Sequence, residues 1–152
     1  MRAGDVVFAI TEGGETSFVI GTAWAGVEAS AKVYFVYNNP DEILCQHVER
    51  SRQVIQDARI EKINLTTGAM AITGSTRMQA TSIQLCVLLT VLEMVVRELV
   101  LDCGAAPPVL ESVTSRPLPD LPARFLAALE ELHATLKSPE LLTQLARLVE
   151  LE

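Results

Sequence analysis

Three short apolar runs, each followed by a glycine- or hydroxyl-rich loop and then by residues at helical spacing, constrain this chain most. The first, D-V-V-F-A-I over Asp5 to Ile10, shows no polar alternation, which predicts a strand covered on both faces of a parallel sheet. Gly13 and Gly14 then permit a tight turn before a helix from Ser17 to Ala29. Ala31 to Tyr37 reads as a second strand. Asn38-Asn39-Pro40-Asp41-Glu42 supplies an N-cap, a proline at the first helical position and acids in the first turn of a helix reaching Ala58. Ile60 to Leu65 is the third strand, followed by Thr66-Thr67-Gly68 and Thr73-Gly74-Ser75-Thr76. Three such units in succession imply right-handed crossovers and a three-layer α/β/α domain with a parallel sheet and helices on both faces.

A long helix from Ala80 to Leu101 is expected next. Gln84, Glu93, Arg97 and Glu98 interrupt it below the length of uncharged sequence that a membrane span requires, so burial on most of its faces is the reading. Five of the seven prolines, Pro107, Pro108, Pro117, Pro119 and Pro122, mark an irregular connector. Two amphipathic helices follow, Ala123 to Leu136 and Glu140 to Leu151, the second capped by Ser138 with Pro139 at its first position. The organisation expected is a sheet-bearing part over residues 1–103, a connector over 104–122 and a helical extension over 123–152.

Composition narrows the function classes. With 49% hydrophobic and 20% charged residues in 152, the chain reads as a folded domain, not a disordered one. Its net charge of −7 leaves no basic field for nucleic acid or for an anionic membrane. Cys45, Cys86 and Cys103 are odd in number and widely spaced, so neither a disulfide framework nor a metal site is expected, and each is read as a small buried hydrophobe. Met1-Arg2-Ala3-Gly4-Asp5 runs straight into the first strand without a signal-peptide pattern, which points to the cytoplasm.

In a parallel α/β sheet, ligands sit at the carboxyl ends of the strands, where helix N-termini present unpaired N–H groups. Two loops occupy that position. One offers the hydroxyls of Thr11, Thr16 and Ser17 with the backbone of Gly13 and Gly14; the other offers Gly74, Ser75, Thr76 and the guanidinium of Arg77. Neither matches a nucleotide phosphate loop, and no cofactor is expected. Glu12 and Glu15 are the only carboxylates inside this candidate pocket. Either is a candidate base, while Glu15 equally suits a stabilising position in the first helical turn.

Thr11-Glu12-Gly13-Gly14-Glu15-Thr16 resembles the S-x-S-G-E-T loop of SIS (sugar isomerase) phosphosugar-binding domains. Thr73-Gly74-Ser75-Thr76-Arg77-Met78-Gln79-Ala80 resembles the T-G-S-T-R-M-K-A segment of N-acetylmuramic acid 6-phosphate etherases, and is similar to a G-S-S-R-M-K stretch of the glucokinase regulatory protein. The likeness spans residues 5–101 and implies a flavodoxin-like SIS fold that binds a sugar phosphate through Thr11, Thr16 and Ser17, without metal or cofactor. Gly13 replaces the second serine of the loop, Gln79 stands where the etherases have lysine, and Thr81 where they have glycine.

SIS domains begin with two further strand–helix units, so the resemblance implies a domain incomplete at its N-terminal side. D-V-V-F-A-I is also too apolar for an exposed sheet edge. A homo-oligomer, or a second SIS domain in a longer chain, is the partner expected. Phosphosugar binding is the function expected; a sugar-phosphate lyase or isomerase and a regulatory or oligomerisation segment are the alternatives.

Overall fold

A computed structural model of the chain describes residues 1–104 and 120–150. The chain divides into two compact units, 1–85 and 86–152. The first is α/β. Its strands are β1 (Val6–Ile10), β2 (Lys32–Tyr37) and β3 (Ile60–Asn64); α1 (Ser17–Glu28) joins the first two, and α2 (Asp41–His47) and α3 (Glu49–Gln56) join the last two. The sheet has the order β1-β2-β3 and is parallel throughout, with Phe8 opposite Tyr34 and Phe35 opposite Lys62. Parallel neighbours cannot be joined by a hairpin, so helical crossovers are obligatory.

The core lies where α1 and α3 pack against one another and against the sheet. Val33, Phe35 and Tyr37 of the central strand are completely buried there with Ala9, Ile20, Ala23, Leu44, Val54 and Ile60. Each large side chain so buried contributes roughly 1.5–3 kcal/mol relative to exposure. Gly26 sets the spacing between α1 and the sheet, since a Cβ at that position would stand 2.8 Å from Val33 Cγ2.

Several expectations are corrected. β1 is an edge strand with one face open: Val7 and Ala9 face the core, whereas Val6, Phe8 and Ile10 are 58%, 45% and 41% exposed. Its unbroken apolar character supplies side chains for two covered faces, and the helices that pack on it cover one. Phe8 stacks on Tyr34 of β2 at 5.0 Å instead. β3 is the polar edge, with Glu61, Lys62 and Asn64 exposed and Lys32 Nζ donating to Glu61 Oε1 across the strands at 2.8 Å.

The helix expected to run unbroken to Ala58 is interrupted at Val48, whose φ of −128° and ψ of 98° are extended. Val48 turns inward against the core. Pro40 is the N-cap of α2 and not its first helical residue. The asparagines before it bond elsewhere, as described below. Asp41 and Glu42 do occupy the first turn, where the helix dipole favours them.

α4 (Ala80–Asp102) begins in the first unit. The second unit holds the rest of that helix with α5 (Leu121–Leu136) and α6 (Pro139–Glu150), the last two in contact with each other. Pro122 lies in the first turn of α5, and Ser138 Oγ accepts the Leu141 N–H at 3.3 Å as the cap of α6. Burial of α4 on most faces is not observed: from Cys86 to Asp102 the one buried residue is Arg97, while Leu89, Leu92, Val96 and Leu99 are each about half exposed. Cys103 is exposed too, and Cys45 and Cys86 are half-buried, so none of the cysteines is the fully buried hydrophobe expected. Pro107, Pro108, Pro117 and Pro119, with most of the expected connector, fall outside the described residues, as does Leu151. No helix among the described residues is long and apolar enough to cross a membrane.

Candidate functional site

The first loop leaves the sheet at Thr11, whose N–H still donates to Val36 O at 3.0 Å as if the strand continued. Thr11 is buried; Glu12 and Gly13 are half-buried; Glu15, Thr16 and Ser17 are exposed. The turn is made at Gly14, with φ of +80°, and a side chain there would meet Leu44 Cδ1 at 2.7 Å and Tyr37 Cβ at 3.2 Å. Only glycine combines that backbone with that close approach.

Side chains from the next crossover hold the loop by its carbonyls. Asn39 Nδ2 donates to Gly13 O at 2.9 Å, Ser51 Oγ to Gly14 O at 2.7 Å and Arg50 Nε to Glu15 O at 2.7 Å. In a trans peptide the C=O of one residue and the N–H of the next point in opposite directions. Pinning three successive carbonyls towards Asn39 and α3 therefore turns the N–H groups of Gly14, Glu15 and Thr16 the other way.

The first turn of α1 continues this row of donors. Thr16 is its N-cap, but makes no side-chain capping bond; its Oγ1 lies 2.9 Å from Thr11 Oγ1 instead. The N–H groups of Ser17, Phe18 and Val19 accordingly have no acceptor among the described residues, and the first helical amide that is bonded is Ile20, to Thr16 O at 3.0 Å. Glu15 precedes the cap and is not in the first helical turn, a correction that follows from the bond holding its carbonyl outside the helix. No acidic side chain occupies that turn. A row of oriented N–H groups with two adjacent hydroxyls is an arrangement that binds an anion.

The second loop reaches the same end of the sheet through the start of α4. Gly74 turns the chain with φ of +81°, and Ser75 N–H donates to Ile72 O at 2.9 Å. Thr76 O then accepts from Ala80 and Thr81 at 3.0 and 3.3 Å. Thr81 Oγ1 donates to Glu12 Oε1 at 3.2 Å, and the buried Gln84 Nε2 donates both to Thr11 O at 3.0 Å and to Asn38 Oδ1 at 2.6 Å. Asn38 Nδ2 in turn donates to Leu65 O at 2.8 Å. Three strand ends are thereby tied together. Ser75 and Thr76 are half-buried, and Gly74 and Arg77 are exposed. Arg77 has no hydrogen bond or ion pair among the described residues.

Electrostatics beside the site are set by neutral donors. Burial, and then donation of its hydroxyl to Asp41 Oδ1 at 2.6 Å, push Tyr37 far above the ordinary phenol value, so it stays a neutral donor. Asn64 Nδ2 reaches the same carboxylate oxygen at 2.6 Å. Among the described residues no three His, Cys, Asp or Glu side chains are grouped to hold a metal ion.

Sequence reasoning found the loops but missed Asn39, Arg50, Ser51 and Gln84. Ser51 and Arg50 sit in Glu49-Arg50-Ser51-Arg52, which reads as a solvated face, yet Ser51 is completely buried. A small hydroxyl inside a charged helical run was the available signal. The groove lined by Thr90, Glu93, Leu121, Arg124, Phe125 and Ala128 belongs to the second unit and contains none of the expected site residues. Comparison with family models, with curated proteins and with solved structures gave no match to this chain.

Proposed function

We propose that the first unit binds the phosphate of a sugar phosphate at the loop Thr11–Ser17, as part of a three-layer SIS-type domain, with Ser75, Thr76 and Arg77 completing the recognition. One observation carries the reading: the carbonyls of Gly13, Gly14 and Glu15 are all held by side chains behind the loop, which leaves the amides of Gly14 to Val19 for an anion. The paired hydroxyls of Thr11 and Thr16, and an Arg77 that has no partner among the described residues, suit a phosphate ester. Hydroxyls and backbone amides recognise phosphate without a nucleotide or a metal.

The test is isothermal titration of the chain with fructose 6-phosphate, glucosamine 6-phosphate and N-acetylmuramic acid 6-phosphate, with the unphosphorylated sugars as controls. Binding that requires the phosphate supports the reading; no binding at millimolar ligand overturns it.

A second reading rests on Glu12. Its carboxylate stands where the two loops meet, held by Thr81, and would serve a sugar-phosphate lyase or isomerase as base. Turnover of a bound sugar phosphate that disappears in Glu12→Gln with affinity retained would support it; binding without turnover would exclude it.

A further inference from the structure

Resting on the phosphate reading above, we infer that Gln79 is the positioning residue of the second loop: its side-chain amide clasps the backbone of Ala69 and Ala71 and so fixes Ser75, Thr76 and Arg77 for the phosphate. Gln79 Oε1 accepts the Ala71 N–H, and Gln79 Nε2 donates to Ala69 O at 3.2 Å. The two bonds run in opposite directions, so the amide is paired with the chain eight to ten residues before it. Among the described residues no other hydrogen bond reaches residues 67–71. The stretch between, which turns at Gly74 with a φ of +81°, is thereby closed into a ring, with Arg77 two residues before the clasp.

The clasp is anchored where α4 begins. Ala80, the first residue of that helix, is completely buried, and the Ile83 N–H donates to Gln79 O at 3.0 Å. In the following turn Gln84 is tied to Thr11 O and Asn38 Oδ1, so the ring is rooted in the ends of β1 and β2. Gln79 is half-buried, whereas Arg77 and Met78 beside it are exposed. Residue type decides the role. At this length only an amide offers a strong donor and a strong acceptor together; lysine has donors alone, glutamate at neutral pH acceptors alone, and methionine no donor and only a weak acceptor. A loop fixed in advance also removes from binding the cost of ordering it, so the worth of the Arg77 guanidinium to a phosphate depends on the amide two residues on.

Binding of the three sugar phosphates named above is measured by titration for the natural chain, Gln79→Met, Arg77→Ala and the double variant, with far-UV circular dichroism to confirm folding. Gln79→Met should weaken binding about fivefold when Arg77 is present and by less than about twofold on the Arg77→Ala background, the coupling expected of a residue that acts through another. A second measurement needs no ligand. Trypsin should cut after the exposed Arg77 about tenfold faster in Gln79→Met than in the natural chain, because cleavage requires the loop to open and the clasp opposes opening. Equal cleavage rates, or the same loss of affinity on both Arg77 backgrounds, would overturn the role of Gln79 while leaving the phosphate site standing. No binding of any of the three by the natural chain would overturn the phosphate reading, and the role of Gln79 with it.

Discussion

Gln84 Nε2 lies 2.6 Å from Asn38 Oδ1 and 3.0 Å from Thr11 O, so a single amide in the second turn of α4 joins the ends of β1 and β2. Gln84 is 6% exposed and Asn38 2% exposed, and neither acceptor has water in easy reach to replace the lost donor. Gln84→Leu preserves volume and apolar contact while leaving two buried oxygens unpaired. A loss of about 2–3 kcal/mol in unfolding free energy is expected, read by urea denaturation. A change below the error of that measurement would show that the bridge is not formed in solution.

Gly14→Ala tests the turn. The substituted residue must hold a φ of +80° and place its Cβ 2.7 Å from Leu44 Cδ1. Left-handed backbone costs about 1–2 kcal/mol, and crowding in the core adds to it, so destabilisation of about 2–4 kcal/mol is expected. Adding Leu44→Ala removes the clash but not the backbone strain. The double variant should therefore fall short of the sum of the two single losses, a coupling that denaturation of all four chains measures.

These two sites show what could be read from the residues in advance. The strands were legible because Val, Phe, Ile and Tyr are concentrated in three short runs, and the turn was legible because Gly13-Gly14 is an unmistakable interruption. What holds the turn was not. Asn39, Arg50 and Ser51 act on carbonyls 26 to 37 residues away, a relation that no local pattern encodes and that exists only once β2 lies beside β1. The break at Val48 was hidden for a related reason: its apolar side chain fits the helical periodicity, and its demand for the core overrides that periodicity only in the folded unit. For α4, hydropathy announced that an apolar face must be covered but could not say that the cover is absent from the described chain.

Thr16→Val tests the hydroxyl pair. Thr16 is exposed and its side chain caps no amide of α1, but its Oγ1 is the partner of the buried Thr11 hydroxyl, so valine should lower the unfolding free energy by about 1 kcal/mol. Sugar phosphate affinity should fall by about tenfold, the worth of one hydrogen bond to a charged oxygen. Ser51→Ala acts from behind the loop. By releasing Gly14 O it should weaken the same affinity although Ser51 is completely buried and touches no ligand. Urea denaturation distinguishes the two, because Ser51→Ala should lower stability by more, leaving Gly14 O without its donor at a completely buried site.

Asp57 provides a titration that can be followed without any ligand. Its carboxylate accepts from Arg59 Nη2 at 2.6 Å and Nε at 2.9 Å, and from the Arg59 backbone N–H at 2.9 Å, which hold its pKa at about 2 against an ordinary 3.8. Because the folded value lies below the unfolded one, the contribution of this group to stability is complete above the unfolded pKa and is lost as pH falls towards about 2. The difference in urea midpoint between the natural chain and Asp57→Asn should thus be constant near neutrality and shrink between about pH 4 and pH 2. In Arg59→Gln the carboxyl titration, followed by NMR, should move up towards the ordinary value without reaching it, since the backbone donor at residue 59 remains. A midpoint at the ordinary value in the natural chain would mean that the bonds entering β3 are not formed in solution.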